Sequence, residues 1–233
     1  MAENKEAAEN TEKFKQPDGI IAFEKMKEKI SRGELESGQS VRESILAKEF
    51  GLSRDAVRIA LNLLVGWNIL EYEPFCGYKV KTFTSKDIFD WYELRSAIEP
   101  AAARRLAIHP SQKVITELKE VLRLQEEAFD RNDIQQTGKY DEEFHRLIIE
   151  NCGNVSFMHI HMTGLLGSFF FRDNDHIKNP NMKNKEESKR RTLNAHRKIL
   201  EAIENCDPVL AERESRKHCE AVIKGVIQHL FLA

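Results

Sequence analysis

Residues 40–66 read SVRESILAKEFGLSRDAVRIALNLLVG, and this stretch decides the fold of the first third of the chain. Gly51 separates two runs whose apolar residues recur at helical spacing. Ser53 stands where its hydroxyl would cap the second run, which ends near Gly66. The spacing therefore predicts a short helix over 40–50, a tight turn at Gly51 and a second helix. The predicted buried face of that second helix consists of Val57, Ala60, Leu61 and Leu64.

The flanking segments extend this pattern on both sides. Residues 20–30 repeat apolar side chains at helical spacing, and Gly33 ends that predicted helix. After the second helix of the quoted stretch, 69–73 and 78–81 have the composition of two short strands joined through a turn. The order helix, helix, tight turn, helix, hairpin is typical of a winged helix-turn-helix domain.

The remainder of the chain is predicted to be helical, because Gly and Pro become rare after about Ser85 and a period of 3.6 residues dominates. The predicted helices cover 85–107, 111–131, 135–151, 154–171, 189–205 and 207–231. The fold class is therefore mainly α, with an N-terminal winged helix-turn-helix followed by an all-α bundle of six or seven helices. The predicted domains are a disordered tail at 1–17, the winged helix-turn-helix at 18–82 and the bundle at 83–233.

Composition excludes several classes of protein. The 233 residues include 36 Lys and Arg against 38 Asp and Glu, and they contain no apolar run of the about 18 residues that a membrane helix needs. The polar N-terminal segment lacks the apolar core of a signal peptide. Four scattered cysteines form no CxxC pair, so neither a zinc ribbon nor a disulfide framework is expected. We expect free thiols, a reducing cytoplasmic location and no membrane partner.

A net charge of −2 argues at first against nucleic acid as a partner, because a basic surface is the usual sign of one. Even residues 18–82 hold ten basic and ten acidic residues. The predicted second helix nevertheless gathers Arg54, Arg58 and Asn62 on one polar ridge, at i, i+4 and i+8. A neutral overall charge is therefore compatible with a local cluster of basic side chains on this helix. The neutral charge does lower the affinity expected for non-specific DNA.

This ridge carries side chains that read bases in the major groove. Arg donates two hydrogen bonds to guanine O6 and N7, and Asn pairs in a similar way with adenine. The N-terminal end of such a helix normally reaches the bases, and the ridge begins there. Arg42 before it, and Lys79 and Lys81 on the predicted hairpin, could hold phosphates. The alternative is an ordinary solvated helix face, but the glycine-marked turn and the hairpin around the ridge favour DNA.

The order and spacing of these residues resemble the GntR family of bacterial transcription regulators. The resemblance implies operator contacts by Arg42, Ser53, Arg54, Arg58 and the glycine of the wing, Gly77. Asp55 departs from the uncharged residue that is usual there, and its carboxylate would repel phosphate or accept a hydrogen bond from a cytosine amine. The matching strings are Gly33-Glu34-Leu35-x-x-Gly38, Val41-Arg42-Glu43, Leu46-Ala47, Phe50-Gly51-Leu52-Ser53-Arg54, Val57-Arg58-x-Ala60-Leu61 and Cys76-Gly77-Tyr78-x-Val80.

Three histidines of the predicted bundle lie on inward helix faces. Asp141 and His145 stand one helical turn apart beside apolar neighbours, His196 is centred in an apolar stripe, and His218 lies on a face of small residues. Three imidazoles and one carboxylate from three helices predict a divalent-metal site with room for an exogenous ligand. A lone histidine in such a place is more often a hydrogen-bonded core residue, but the combination favours a metal. Zn²⁺ is the preferred ion, and Ni²⁺, Fe²⁺ and Mn²⁺ accept the same ligands.

Arg95 falls within the apolar stripe of the helix predicted over 85–107. A buried guanidinium needs an anionic partner. That partner is either a protein carboxylate, such as Glu99 or Asp141, or the carboxylate of a bound ligand held by two hydrogen bonds. Arg172 is a second, weaker candidate for binding an anion.

Residues 86–230 resemble the ligand-binding FCD domain of FadR-type members of the same family. The resemblance implies a metal held by Asp141, His145, His196 and His218, with a small organic acid beside it, and it favours that acid as the partner of Arg95. The matching strings are Tyr92-Glu93-Leu94-Arg95-x-x-Ile98-Glu99, Asp141-x-x-Phe144-His145, Asn194-Ala195-His196-x-x-Ile199-x-x-Ala202-Ile203, and His218 on the last helix.

The sequence therefore predicts a homodimeric regulator, not an enzyme, that binds double-stranded operator DNA and a small carboxylate at the metal. The resemblance implies that it represses transcription until the carboxylate binds. A dimer would place two recognition helices on half-sites about 34–36 Å apart. Three alternatives stay open. The metal could be purely structural, the bundle could be a metallo-enzyme tethered to a DNA-binding head, or the protein could sense acyl-CoA, against which the intact Asp and His set argues.

Overall fold

A computed structural model describes residues 16–161 and 185–231. The chain divides after Lys81 into two units. The N-terminal unit contains α1 (Asp18–Ser31), β1 (Ser40–Val41), α2 (Glu43–Phe50), α3 (Arg54–Gly66), β2 (Leu70–Glu73) and β3 (Gly77–Val80). The C-terminal unit contains α4 (Ser85–Ile108), α5 (Gln112–Asp130), α6 (Ile134–Asn151), α7 (155–161 within the described residues), α8 (Lys185–Glu204) and α9 (Pro208–Phe231). These elements confirm the predicted fold class.

Local signals in the sequence set the helix-turn-helix. Gly51 closes α2 with a φ of 67°, in the left-handed region that favours glycine. Ser53 Oγ accepts a hydrogen bond from the Ala56 N–H at 3.1 Å and so caps α3. The predicted apolar face of α3 is buried, and α1 packs against this helix. The polar ridge of α3 is thereby left on the outer surface.

One element differs from the prediction, because α2 begins at Glu43 and not at Ser40. Ser40 and Val41 form β1, which pairs antiparallel with β3, so the wing is a three-stranded sheet in the order β1-β3-β2. Val41 lies opposite Tyr78 and is buried, as suits a β-branched side chain on the inner face of a sheet. Arg42 is consequently an extended residue at the N-terminus of α2 and does not lie on the helix.

Side-chain caps also position the bundle helices. Thr84 and Asp87 form a capping box at the start of α4, and Ser111 and Asp133 cap α5 and α6. Helix α4 packs along α9, α5 packs along α6, and α8 contacts both α5 and α9. The core between these helices includes Leu118, Phe144, Ile199 and Ile203.

The bundle helices otherwise follow the predicted bounds closely. Helix α8 begins at Lys185, four residues before the predicted start at 189. The rest of the helix predicted over 154–171 lies outside the described residues from 162 onward. Across the described ranges, the helices are too short or too polar to cross a lipid bilayer.

Replacing Gly51 with Ala should destabilise the protein by about 1–2 kcal/mol, because an L side chain is strained in the left-handed region. No atom lies within 4 Å of the added Cβ, so steric contact plays no part. Gly66→Ala is the matched control. Its surroundings are equally open and its backbone is helical, so it should stabilise α3 by about 0.5–1 kcal/mol. Urea unfolding followed by circular dichroism measures the free energy of unfolding of both variants. Equal changes in that free energy would show that the backbone at Gly51 is not strained by a side chain.

Candidate metal centre and nucleic-acid interface

A group of polar side chains is buried in the core of the bundle. Glu99, Gln125, His145, His196 and His218 are each at most 5 % exposed. They come from five different helices, α4, α5, α6, α8 and α9. Every buried side-chain nitrogen and oxygen in the described part of the chain has a hydrogen-bond partner. These five residues therefore form a connected polar network inside an apolar core.

The three imidazoles converge on one point. His145 Nε2 lies 3.2 Å from His196 Nε2 and 3.3 Å from His218 Nε2. One ring nitrogen from each of the three residues lies within 4.8 Å of the other two. A tetrahedral zinc ion, with Zn–N bonds of about 2.0–2.1 Å, separates its ligand nitrogens by about 3.4 Å. The two separations from His145 Nε2 therefore lie close to that of zinc ligands.

Hydrogen bonds to the outer nitrogens determine the tautomers of two imidazoles. His145 Nδ1 donates to Glu99 Oε2 at 2.9 Å. Gln125 Nε2 donates to Asp141 Oδ1 at 3.2 Å, so Gln125 Oε1 is left to accept from His196 Nδ1 at 3.0 Å. Both Nε2 atoms then direct lone pairs to the centre of the cluster, an arrangement that a cation between them stabilises. The donor set thus fits a divalent metal.

Asp141 lies at the edge of the imidazole cluster. Its Oδ1 is 3.6 Å from His196 Nε2, and its side chain is 29 % exposed. The hydrogen bond from Gln125 turns this carboxylate toward the imidazoles. The structure therefore brings all four predicted ligands together, with three histidines at the centre and Asp141 as a candidate fourth ligand.

Burial favours the neutral form of these histidines. Desolvation lowers the pKa of His196 and of His218 well below the usual value, and the neighbouring imidazoles lower both further. Neutral imidazole is the form that binds a metal. His161, which has no partner pattern in the sequence, is buried against Trp91 with 5.7 Å between ring centroids, and burial lowers its pKa to about 4.

Arg95 is paired within the protein. Its Nε donates to Glu99 Oε1 at 2.5 Å, and its guanidinium carbon lies 5.4 Å from the ring centroid of Tyr92. Burial would lower the pKa of Arg95, but the Glu99 carboxylate raises it above the usual value, so the guanidinium stays charged. The sequence leaves two kinds of partner open for Arg95, a protein carboxylate or a ligand carboxylate. The structure shows the protein carboxylate, Glu99.

A small cavity adjoins the imidazole cluster and has room for about one water molecule. Pockets for drug-sized molecules are about 300–1,000 Å³, so an organic acid could enter this cavity only if the lining side chains move apart. The guanidinium of Arg95 and the imidazole of His218 share its wall. Arg172, the other predicted anion-binding residue, lies outside the described residues. The lining residues are Tyr92, Arg95, His218, Cys219 and Val222.

The sequence does not predict Gln125, or the contact between Glu99 and His145. For Gln125 a signal exists, because it interrupts the apolar face of α5 between Leu122 and Phe129, where a polar side chain needs a buried partner. For Glu99 the sequence indicates only the pairing with Arg95 on its own helix. Its second partner lies on another helix, and no spacing within α4 reveals it.

The predicted DNA-contacting residues lie on the surface of the N-terminal unit. Gly77 is half-buried and has a φ of 89° at the turn between β2 and β3, in the region open to glycine. Asp55, expected to repel phosphate, is exposed at the first turn of α3. The exposed members of the predicted set are Arg42, Ser53, Arg54, Arg58, Asn62 and Lys79.

Two side chains of the polar ridge have partners in the protein. Arg58 Nε and Nη2 donate to the two carboxylate oxygens of Glu43 at 2.9 and 3.1 Å, and Nη1 donates to Asp55 Oδ1 at 3.1 Å. The Tyr78 hydroxyl donates to Asn62 Oδ1 at 2.7 Å. Reading of a base by Arg58 or Asn62 therefore requires exchange of these partners for the base.

Both units match known families. Residues 22–80 match bacterial regulatory proteins of the gntR family, and residues 90–221 match the FCD domain. The chain is 25 % identical over 217 residues to the gluconate operon transcriptional repressor of Bacillus licheniformis, a match that covers 92 % of this chain and 87 % of that protein. It is 27 % identical over 200 residues to the probable D-xylose utilization operon transcriptional repressor of Paenarthrobacter nicotinovorans, covering 83 % of this chain and 82 % of that protein.

Solved structures share the fold. E. coli McbR/YncC has a TM-score of 0.70 at 19 % sequence identity, with 91 % of this chain and 98 % of that chain covered. A putative transcriptional regulator GntR from Rhodococcus sp. RHA1 has a TM-score of 0.69 at 17 % identity, with 90 % and 97 % covered. At these identities the likeness establishes the architecture of the chain.

Metal-stripped protein should lose stability as the pH falls below about 6.5. Buried imidazoles with lowered pKa values bind fewer protons than they do in the unfolded chain, so acid favours unfolding. For His161, with its pKa lowered from 6.5 to about 4, the loss accumulates between these pH values. The slope is at most about 1.4 kcal/mol per pH unit.

Urea unfolding with chelator present, repeated between pH 7 and pH 4.5, measures this dependence. The slope should be shallower in His161→Gln than in the unsubstituted protein. His109 is exposed, so His109→Gln serves as the control and should leave the slope unchanged. A slope in His161→Gln that equals the control would show that His161 titrates as an exposed histidine.

Proposed function

The chain belongs to the GntR family of bacterial regulatory proteins and carries an FCD domain, and from this premise we propose that it is a dimeric repressor whose operator binding responds to a small organic acid bound beside a divalent metal. Its relatives are transcriptional repressors, so the chain is a transcription regulator and not an enzyme. The observation that carries the proposal is the cavity whose wall joins the Arg95 guanidinium to the imidazole cluster through His218.

The proposed metal centre uses His145, His196 and His218, with Asp141 as fourth ligand. The spacing of the Nε2 atoms, the burial of the rings and the hydrogen bonds to the outer nitrogens support it. We propose Zn²⁺ as the ion, because a compact set of nitrogen and oxygen donors suits it, and Ni²⁺, Fe²⁺ and Mn²⁺ would compete for the same ligands. The bound ion would act as a Lewis acid that could coordinate a carboxylate oxygen of a ligand in the cavity.

The proposed effector is a small carboxylate. Arg95 uses its Nε for Glu99, and its guanidinium lies against the cavity, where it can offer further N–H donors to an anion. The small size of the cavity argues against a long acyl chain, and even a small acid would have to displace the lining side chains. Two relatives are named as repressors of the gluconate operon, and gluconate is a carboxylate, so gluconate is included among the acids to test. Arg172 is proposed as a further anion contact.

The proposed operator-reading domain spans residues 18–82, and the proposed sensor domain spans 83–233. In a cytoplasmic homodimer, the two copies of α3 would read operator half-sites about one turn of the DNA helix apart. An acid effector can change operator binding only by its different affinities for the two arrangements of the dimer. The proposed contacts with bases are made by Arg54, Arg58 and Asn62, and those with the sugar-phosphate backbone by Arg42, Ser53, Gly77 and Lys79.

Arg58→Ala should reduce affinity for the specific operator by about 5- to 150-fold, because a paired contact with guanine is lost. The measurement is fluorescence anisotropy at fixed salt, with a DNA site selected by the unsubstituted protein from a random library. Arg32→Ala removes the same charge from an exposed residue outside the ridge, and it should bind the site within twofold of the unsubstituted protein. Equal affinities for both variants would show that α3 does not read the site through Arg58.

Small organic acids should raise the melting temperature of the metal-loaded protein by several degrees, and gluconate, citrate and malonate form a first test set. Chelator should abolish the shift, and Arg95→Ala or the milder Arg95→Lys should reduce it. Arg104→Ala, at a half-exposed surface position, is the control that should retain the shift. If chelator unfolds the bundle while no acid stabilises it, the metal is structural and the carboxylate effector is wrong.

A further inference from the structure

Glu99 is a buried carboxylate that lies between the cavity wall and the imidazole cluster. Its Oε1 accepts a hydrogen bond from Arg95 Nε at 2.5 Å, and its Oε2 accepts one from His145 Nδ1 at 2.9 Å. The Cys219 thiol donates to the same Oε2 at 3.4 Å. Since the side chain of Glu99 is only 2 % exposed, water cannot replace these donors. One carboxylate thus binds both a cavity-lining cation and a ligand of the proposed metal.

The charge of Glu99 sets it apart from the other group that holds an imidazole. The guanidinium of Arg95 donates to Glu99 at 2.5 Å and both side chains are buried, so the pair is a carboxylate and a cation. His196 Nδ1 donates instead to the neutral amide of Gln125. An anion at Nδ1 orients the ring and increases the basicity of Nε2. His145 is therefore the imidazole whose donor strength depends on a charge that another residue can modulate.

Because Glu99 bridges Arg95 and His145 through its two oxygens, we propose that it is a positioning residue that couples an anion at Arg95 to the strength of metal binding at His145. The inference rests on the proposed function, because it needs both the acid and the metal. A carboxylate that binds Arg95 takes a share of the guanidinium charge that otherwise neutralises Glu99. Glu99 then accepts more strongly from His145 Nδ1, and His145 Nε2 becomes the better metal donor. By linkage, the metal strengthens acid binding by the same factor.

Co²⁺ is a suitable probe of the first half of the proposal, because its visible absorption reports both affinity and ligand geometry. Glu99→Gln keeps the shape of the side chain but removes its charge, and it should weaken Co²⁺ binding to the metal-free protein by about 10- to 100-fold. Glu150→Gln is the matched control, since Glu150 pairs with Arg146 at the same i, i+4 spacing as Glu99 with Arg95. The control should bind Co²⁺ as the unsubstituted protein does.

The second half of the proposal is tested in the unsubstituted, metal-free protein with malonate as probe, so that it does not depend on how a variant folds. The proton on His145 Nδ1, followed by nuclear magnetic resonance with labelled histidine, should move downfield as malonate saturates the cavity. With Co²⁺ present, malonate should also raise the Co²⁺ affinity. That gain should fall at least threefold in Glu99→Gln and persist in Glu150→Gln.

The outcomes separate this inference from the proposed function. Co²⁺ affinity in Glu99→Gln within twofold of the unsubstituted protein would overturn the role of Glu99. Malonate that binds by calorimetry but leaves the His145 Nδ1 proton in place would overturn the coupling. If the unsubstituted protein binds no Co²⁺, the metal centre of the proposed function is wrong. If it binds no malonate in either metal state, the carboxylate effector is wrong. Either result also overturns the coupling.

Discussion

The packing of the bundle depends on the partners that its buried imidazoles, carboxylate and amide find in one another. A buried polar group without a partner costs about 1–3 kcal/mol, and a buried charge costs more. Here Glu99 accepts from His145, and Gln125 joins His196 to Asp141. Because the donors and acceptors come from five helices, the network closes only when α4, α5, α6, α8 and α9 are in register. The contacts that place the ligands are thus the same contacts that define the packing of the bundle.

Spacing within one helix predicts which side of that helix a residue occupies, and it succeeds where one helix decides the outcome. The faces of α3 and the inward positions of His145, His196 and His218 follow from periodicity, and the structure buries those three histidines. Partnerships between helices do not follow. Gln125 and His196 are separated by 71 residues, and their contact depends on how α5 and α8 pack. Strand β1 is missed for the same reason, since two residues carry no period and β3 alone makes them a strand.

Arg95 shows how a question left open by sequence can have a combined answer. The apolar helix face around Arg95 predicts a buried guanidinium, which needs an anion nearby. The sequence does not show whether that anion is a protein carboxylate or a ligand. The structure supplies Glu99 at Nε and also places the side chain on the cavity wall. An internal carboxylate partners the buried guanidinium of Arg95, so folding needs no bound anion at this position. A guanidinium has five N–H donors, so one carboxylate does not exhaust its capacity for a second.

Arg58 in the N-terminal unit is also paired with carboxylates of the protein. Glu43 and Asp55 occupy the donors that guanine would take, so Arg58 is neutralised and also held in a defined orientation on α3. Because these ion pairs are exposed, they contribute little to stability and cost little to exchange. A phosphate offers Arg58 only another anion in place of two carboxylates, whereas guanine offers two aligned acceptors. If Arg58 reads guanine as proposed, the carboxylates would lower the affinity for arbitrary DNA more than the affinity for a site with guanine in register, and would so add to specificity.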